Sequence, residues 1–166
     1  MSHPRGNLIV NGGFECGTIG SAPPTPWFSE NVEIVDSTQA HSGAQIASLG
    51  ETTPADPAYL FQDVAVAPGR FYELTFHVTG AVEDGSAGPI RAEVRWLNTD
   101  GRDLGSGLST FVSGGNVGTA DDGEWLAVFE LTGKSPPDAV KARILFSRSD
   151  TEPPMLLDDV LFADQS

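Results

Sequence analysis

The chain carries a single cysteine, Cys16, in 166 residues, so no disulfide can close within it. No run approaches the ~18 apolar residues of a membrane-spanning helix. The opening Met-Ser-His-Pro-Arg-Gly has no apolar centre of the kind a secretory signal requires. Positive charge is scarce: 9 Lys and Arg stand against 23 Asp and Glu, a formal net charge of −14. That balance repels phosphate backbones and anionic lipid, so neither nucleic acid nor a membrane surface is an expected partner. It is compatible with divalent cations, with neutral ligands, or simply with solubility. Helical periodicity is missing as well, with no convincing apolar spacing at i, i+3, i+4 and i+7. There is no Gly-x-Ser-x-Gly, no His-Glu-x-x-His and no phosphate loop. Acidic residues abound, but no pair stands out as a glycosidase dyad. The expectation is a protein that is not an enzyme.

What is present is β-structure and turns. The length fits one domain able to bury a core without staples. The 19 Gly and 12 Pro point to many turns. Period-two alternation recurs between turn signals. The pattern predicts strands over Asn7 to Val10, Val32 to Asp36, Ala44 to Leu49, Tyr59 to Val66, Phe71 to Thr79, Ile90 to Asn98, Leu104 to Val112, Glu124 to Thr132, Ala139 to Ser147 and Met155 to Phe162. Loops are expected over Gly17 to Pro26, Ser37 to Gly43, Glu51 to Pro57, the Gly-rich stretch before Ile90, Ser113 to Gly123 and Arg148 to Pro154. Trp27 reads as the cap of a core end. Parity turns Tyr72, Leu74, Phe76 and Val78 inward, likewise Val94 and Trp96, and likewise Trp125, Ala127, Phe129 and Leu131. The fold class is all-β, an antiparallel β-sandwich over residues 7–163 behind a short tail at 1–6.

In the closing strand, Asp158 shares parity with Leu156, Val160 and Phe162. If those three face the core, so does Asp158, and an unpaired buried carboxylate needs a cation or several donors. Glu15 follows the Gly12-Gly13 pair, where the backbone can bend and expose a carbonyl. Hard oxygen ligands of this kind suit Ca²⁺. The alternative is that Glu15 and Asp158 accept backbone and hydroxyl hydrogen bonds with no metal. Asp159 has the other parity and is expected in solvent. Outward positions of the middle strands offer Tyr59, Phe61, Glu73, His77, Arg91, Glu93, Arg95, Lys141 and Arg143, a polar strip with aromatics at its edge.

The ordered signals resemble a known family. They are Asn7-Leu8-Ile9-Val10-Asn11-Gly12-Gly13-Phe14-Glu15, Trp27 after a loop, His41-Ser42-Gly43-Ala44 before a strand, Gln62 ahead of Val64 to Gly69, and the terminal Leu157-Asp158-Asp159-Val160. Together they resemble the jelly-roll carbohydrate-binding modules of families four, nine and twenty-two, which have the galactose-binding-like fold. They are also similar to the sandwich domain that precedes collagen-like triplet repeats in surface proteins of spore-forming bacteria, although no such triplet tract follows here. The first resemblance implies a non-catalytic module that binds a polysaccharide or glycan on an outer sheet face, with Tyr59, Phe61, His77, Arg91, Arg95 and Lys141 as candidates. It also implies a structural Ca²⁺ held by the Gly13 carbonyl, Glu15, Ser42, the Gln45 carbonyl and Asp158, with Ser42 standing where some relatives place an acidic ligand. On the strand that in those modules carries a basic residue and a histidine, Lys141 keeps the first and Leu145 replaces the second. The second resemblance implies a structural or assembly domain of a bacterial cell or spore surface without sugar binding, as a homo-oligomer. Either one implies an extracellular or bacterial-surface location.

Overall fold

The structure is a computed structural model that describes residues 6–50, 56–80, 89–113, 124–148 and 154–165. Parts of the expected loops, at 51–55, 81–88, 114–123 and 149–153, lie outside the described residues. The described residues form ten strands: β1 (Phe28–Glu30), β2 (Val32–Asp36), β3 (Gln45–Leu49), β4 (Ala58–Ala65), β5 (Tyr72–Gly80), β6 (Ile90–Leu97), β7 (Asp103–Val112), β8 (Leu126–Leu131), β9 (Lys141–Arg148) and β10 (Met155–Asp164). Among the described residues no helix is long and apolar enough to cross a membrane.

The strands form two five-stranded sheets, ordered β1-β4-β9-β6-β7 and β2-β3-β10-β5-β8. Every described pairing is antiparallel. The sheets stack as the antiparallel sandwich that period-two patterning predicts and the jelly-roll that the resemblance implies, with side chains alternating into one shared core. From the first sheet come Leu60, Val94, Trp96, Ile144 and Phe146, and from the second Ile34, Leu49, Leu74, Phe76, Leu157 and Phe162, all buried. Phe76 meets Phe146 edge-on across the interface, with centroids 5.1 Å apart.

Three expectations need correction. Residues 7–10 are not a ladder strand. The segment is held by β10 through Leu8 N–H to the Phe162 carbonyl (2.7 Å) and through the Asn7 side chain, which accepts from the Phe162 N–H (3.0 Å), and farther on by a side chain from β4. The Gln62 amide donates to the Val10 carbonyl and accepts from the Val10 N–H, both at 2.9 Å. It takes the place of a neighbouring strand. Second, β8 has the opposite parity: Leu126 and Val128 pack on the core, while Phe129 and Leu131 are 65% and 58% exposed. Trp125 accordingly lies outside the sandwich, packed with Ile46, Leu156, Val35 and Ala40. Third, β10 does not keep one parity, because its register with β5 shifts between Asp158 and Leu161. Met155 and Leu157 face the core before this bulge, and Val160 and Phe162 after it.

Candidate functional site

Two groups of polar side chains stand out, one on each sheet. The first gathers at the β10 bulge on the outer side of the second sheet. Asp158 is fully buried, but under the loop before β3 rather than in the core its parity suggested. Its Oδ2 accepts from the Ser42 N–H (3.2 Å) and its Oδ1 from the Asp159 N–H (2.9 Å). Burial, then the charge of Asp159, push the Asp158 carboxyl up to about 7; the two N–H groups pull it down and the Glu15 charge raises it further. Glu15 Oε1 accepts from the N–H groups of Ala44 (2.8 Å) and Gln45 (3.0 Å). Gly43 makes that approach possible: its φ is +62°, and a Cβ there would collide with the Glu15 carboxylate.

The Gln45 side-chain amide faces the carbonyls of Phe14 and Glu15, and its nitrogen turned toward them donates at 2.8 and 3.2 Å. Gly12 lies so close to β10 that a Cβ would strike the Val160 carbonyl, and its own carbonyl accepts from Val160 N–H at 2.9 Å. Asp159 is not in free solvent as parity implied. The bulge holds it at φ +48°, and its carboxylate accepts from Ser42 Oγ (2.7 Å) and meets His41 Nδ1 (2.6 Å). Among the described residues no Lys or Arg forms an ion pair with Glu15, Asp158 or Asp159.

The second group covers the outer face of the first sheet. Cross-strand register arranges it in three rows. One runs Glu30, Tyr59, Ser147, Arg91, Phe111; the next Phe28, Phe61, Leu145, Glu93, Ser109; the third Asp63, Arg143, Arg95, Ser106. At about 4.8 Å per strand, five strands span about 19 Å. One flank is aromatic, with Phe28 on Phe61 at 5.4 Å and Tyr59 on Phe61 at 6.1 Å between centroids. The Arg143 guanidinium lies 4.3 Å over the Phe61 ring and forks onto Asp63 at 2.8 and 2.9 Å. That carboxylate raises the Arg143 pKa.

Across the middle, Arg95 binds Asp103 at 2.8 Å and lies 3.8 Å from Glu93, which is 3.7 Å from Arg91. The Gly105 N–H first, and Arg95 after it, hold the Asp103 carboxyl below its usual range. The far flank is Phe111, 60% exposed. It borders a shallow cavity of about 360 Å³ together with Pro57, Pro89, Arg91 and Ser147.

Of the sequence-predicted ligand residues, Tyr59, Phe61, Arg91, Arg95 and Lys141 lie on this sheet, Lys141 at the end of β9 opposite Ala65 and Leu97. His77 does not. It is on β5 in the other sheet, opposite Asp158. Phe28 and Phe111 escaped the sequence reading. Phe28 directly follows the buried Trp27 and Phe111 lies near the end of β7; their exposure, 52% and 60%, appears only once the pairing is known. Of the predicted metal ligands, Glu15, Ser42, Gln45 and Asp158 converge at the bulge, and Gly13 passes close to the Asp159 carboxylate, where a Cβ would stand 3.3 Å from its Oδ1.

No protein-family model and no curated protein matches the chain. Solved structures share its fold. The enzymatically active domain of tailspike protein 4 from bacteriophage CBA120 superposes with a TM-score of 0.71 at 18% identity, over 95% of this chain and 21% of that one. This chain therefore spans about a fifth of that phage domain. TmCBM61 in complex with β-1,4-galactotriose has a TM-score of 0.65 at 19% identity, covering 96% of this chain and 99% of that one. A family 16 carbohydrate-binding module has a TM-score of 0.65 at 18% identity, covering 95% and 99%.

Proposed function

We propose that this domain, whose jelly-roll fold is shared by carbohydrate-binding modules of families 4, 16, 22 and 61, is such a module in function, non-catalytic, and that a glycan chain lies across the outer face of the first sheet. The observation that carries the reading is the three-row arrangement of that face. Stacked rings at Phe28, Tyr59 and Phe61 on one flank and Phe111 on the other offer apolar platforms to sugar rings. Between them Arg95 and Arg143 are fixed by Asp103 and Asp63, so their remaining N–H groups, like the carboxylate oxygens, are already oriented for hydroxyls. The span of about 19 Å fits an oligosaccharide rather than one sugar. Affinity electrophoresis on soluble polysaccharides, with Phe61→Ala and Phe111→Ala beside the parent, tests it. Retardation that both substitutions weaken is expected. A folded parent that no glycan retards sinks the proposal.

We propose also that the bulge cluster holds a structural Ca²⁺, with Glu15 and Asp158 as carboxylates and Ser42, Gln45 and the Gly13 carbonyl around them. Fit is supported by an all-oxygen donor set and by two acidic side chains that no Lys or Arg offsets among the described residues. The ion would tie the loop before β3 to β10. A second reading, an assembly domain of a bacterial surface layer, has one observation in its favour: Phe129 and Leu131 stand exposed on β8, an edge strand. It predicts a defined oligomer by light scattering and no glycan affinity; a glycan-binding monomer would exclude it.

A further inference from the structure

We propose a second cation site on the outer side of the second sheet, formed by His41, His77 and Asp159 and selective for a borderline transition metal, with Zn²⁺ as the probe. The three residues come from the loop before β3, from β5 and from the β10 bulge. Their ligand atoms lie within 4.8 Å of one another. The donor set is two imidazole nitrogens and one carboxylate, the chemistry that zinc and its neighbours prefer and that calcium does not. It is thus distinct in kind from the all-oxygen clasp of Glu15 and Asp158 beside it.

The supporting contacts fit that role. Ser42 Oγ donates to Asp159 Oδ1 at 2.7 Å, which leaves Oδ2 turned toward His41. The bulge directs the Asp159 carbonyl at His77 Nδ1, at 3.4 Å. The two rings stack with centroids 3.7 Å apart and planes 19° from parallel. In that pose their lone pairs lie in two nearly parallel planes rather than converging on one point. Ligands about 2.0–2.1 Å from one ion sit about 3.4 Å apart in a tetrahedron, so one ring must turn. His41 is the one that can, being exposed on its loop with Trp125 edge-on at 6.1 Å. Rotation about its side chain would bring its nitrogen round to face the His77 nitrogen and the Asp159 carboxylate oxygen. A fourth position remains for water.

The test is calorimetric titration of untagged protein with zinc chloride, in a His3→Ala background, after dialysis against chelator. One equivalent should bind. His41→Ala and His77→Gln should each weaken it at least about tenfold, with circular dichroism confirming the fold. Millimolar Ca²⁺ and Glu15→Gln should leave it unchanged, and the imidazole proton resonances of both histidines should shift with zinc. Folded protein that takes up no zinc overturns the proposal. So does zinc binding that survives both histidine substitutions, or that Ca²⁺ or Glu15→Gln abolishes, because the ion would then sit in the oxygen clasp. Neither result bears on glycan binding at the other sheet.

Discussion

Asp158 shows how much one residue can disclose and conceal. Its apolar neighbours in the sequence announced a buried carboxylate, and it is buried. The stated route, parity with the core, was wrong, because the bulge between Asp158 and Leu161 resets the alternation and no periodic signal marks a bulge. The consequence for stability has a definite sign. The unfolded carboxyl titrates at 3.8 and the folded one at about 7. Between those values the native state holds a proton that the unfolded chain has released, so stability falls as pH rises through that window and is flat above it. In chelator, urea unfolding should therefore show the parent losing up to about 4 kcal/mol relative to Asp158→Asn between pH 4 and pH 7. Parallel pH profiles for the two proteins would refute the burial argument. With Ca²⁺ bound, the ion should replace that proton and the slope should shrink.

At the level of elements, the sequence revealed strands better than it revealed which side they present. β5, β6 and β9 have one apolar and one polar parity, and their inward faces were readable. β8 offers Leu126 and Val128 on one parity and Ala127, Phe129 and Leu131 on the other, so alternation alone could not choose; the structure buries the smaller pair. The opening segment failed for a different reason. Its apolar run suggested a ladder strand, yet much of its pairing is supplied by one side chain, the buried Gln62. Removing that amide leaves the Val10 N–H and carbonyl without partners, so Gln62→Leu should cost about 1–3 kcal/mol in chemical denaturation. Gly43→Ala tests the clasp from the other direction. It combines a φ of +62° with a Cβ that collides with Glu15, and it should lower the melting temperature and blunt the response to Ca²⁺ together. An unchanged Ca²⁺ response would show that Glu15 does not depend on this loop.

For the whole molecule the decisive feature is that the bulge cluster and the proposed ligand face lie on opposite sheets, with a core about 10 Å thick between them. A rigid sandwich transmits little between its faces, so the two should be separable by substitution. Phe61→Ala should reduce glycan affinity at least about tenfold, in line with the loss of a well-packed aromatic anchor, and leave the Ca²⁺-dependent rise in melting temperature intact. Glu15→Gln should do the reverse, removing the rise while glycan affinity at 25 °C stays within about twofold of the parent, since below its melting point the folded population is nearly complete either way. The charges on the ligand face sharpen this. Arg143 and Arg95 are already paired with Asp63 and Asp103 in a chain whose net charge is −14. Little unscreened positive field remains to attract an anionic polymer, so affinity for a neutral glycan should hold between low and high salt, measured by calorimetry, and uronate-rich polymers should bind no better. A steep fall in affinity with salt would mean that the guanidinium groups exchange their carboxylates for the ligand, and the pre-paired face would then be the wrong description of how this sheet binds.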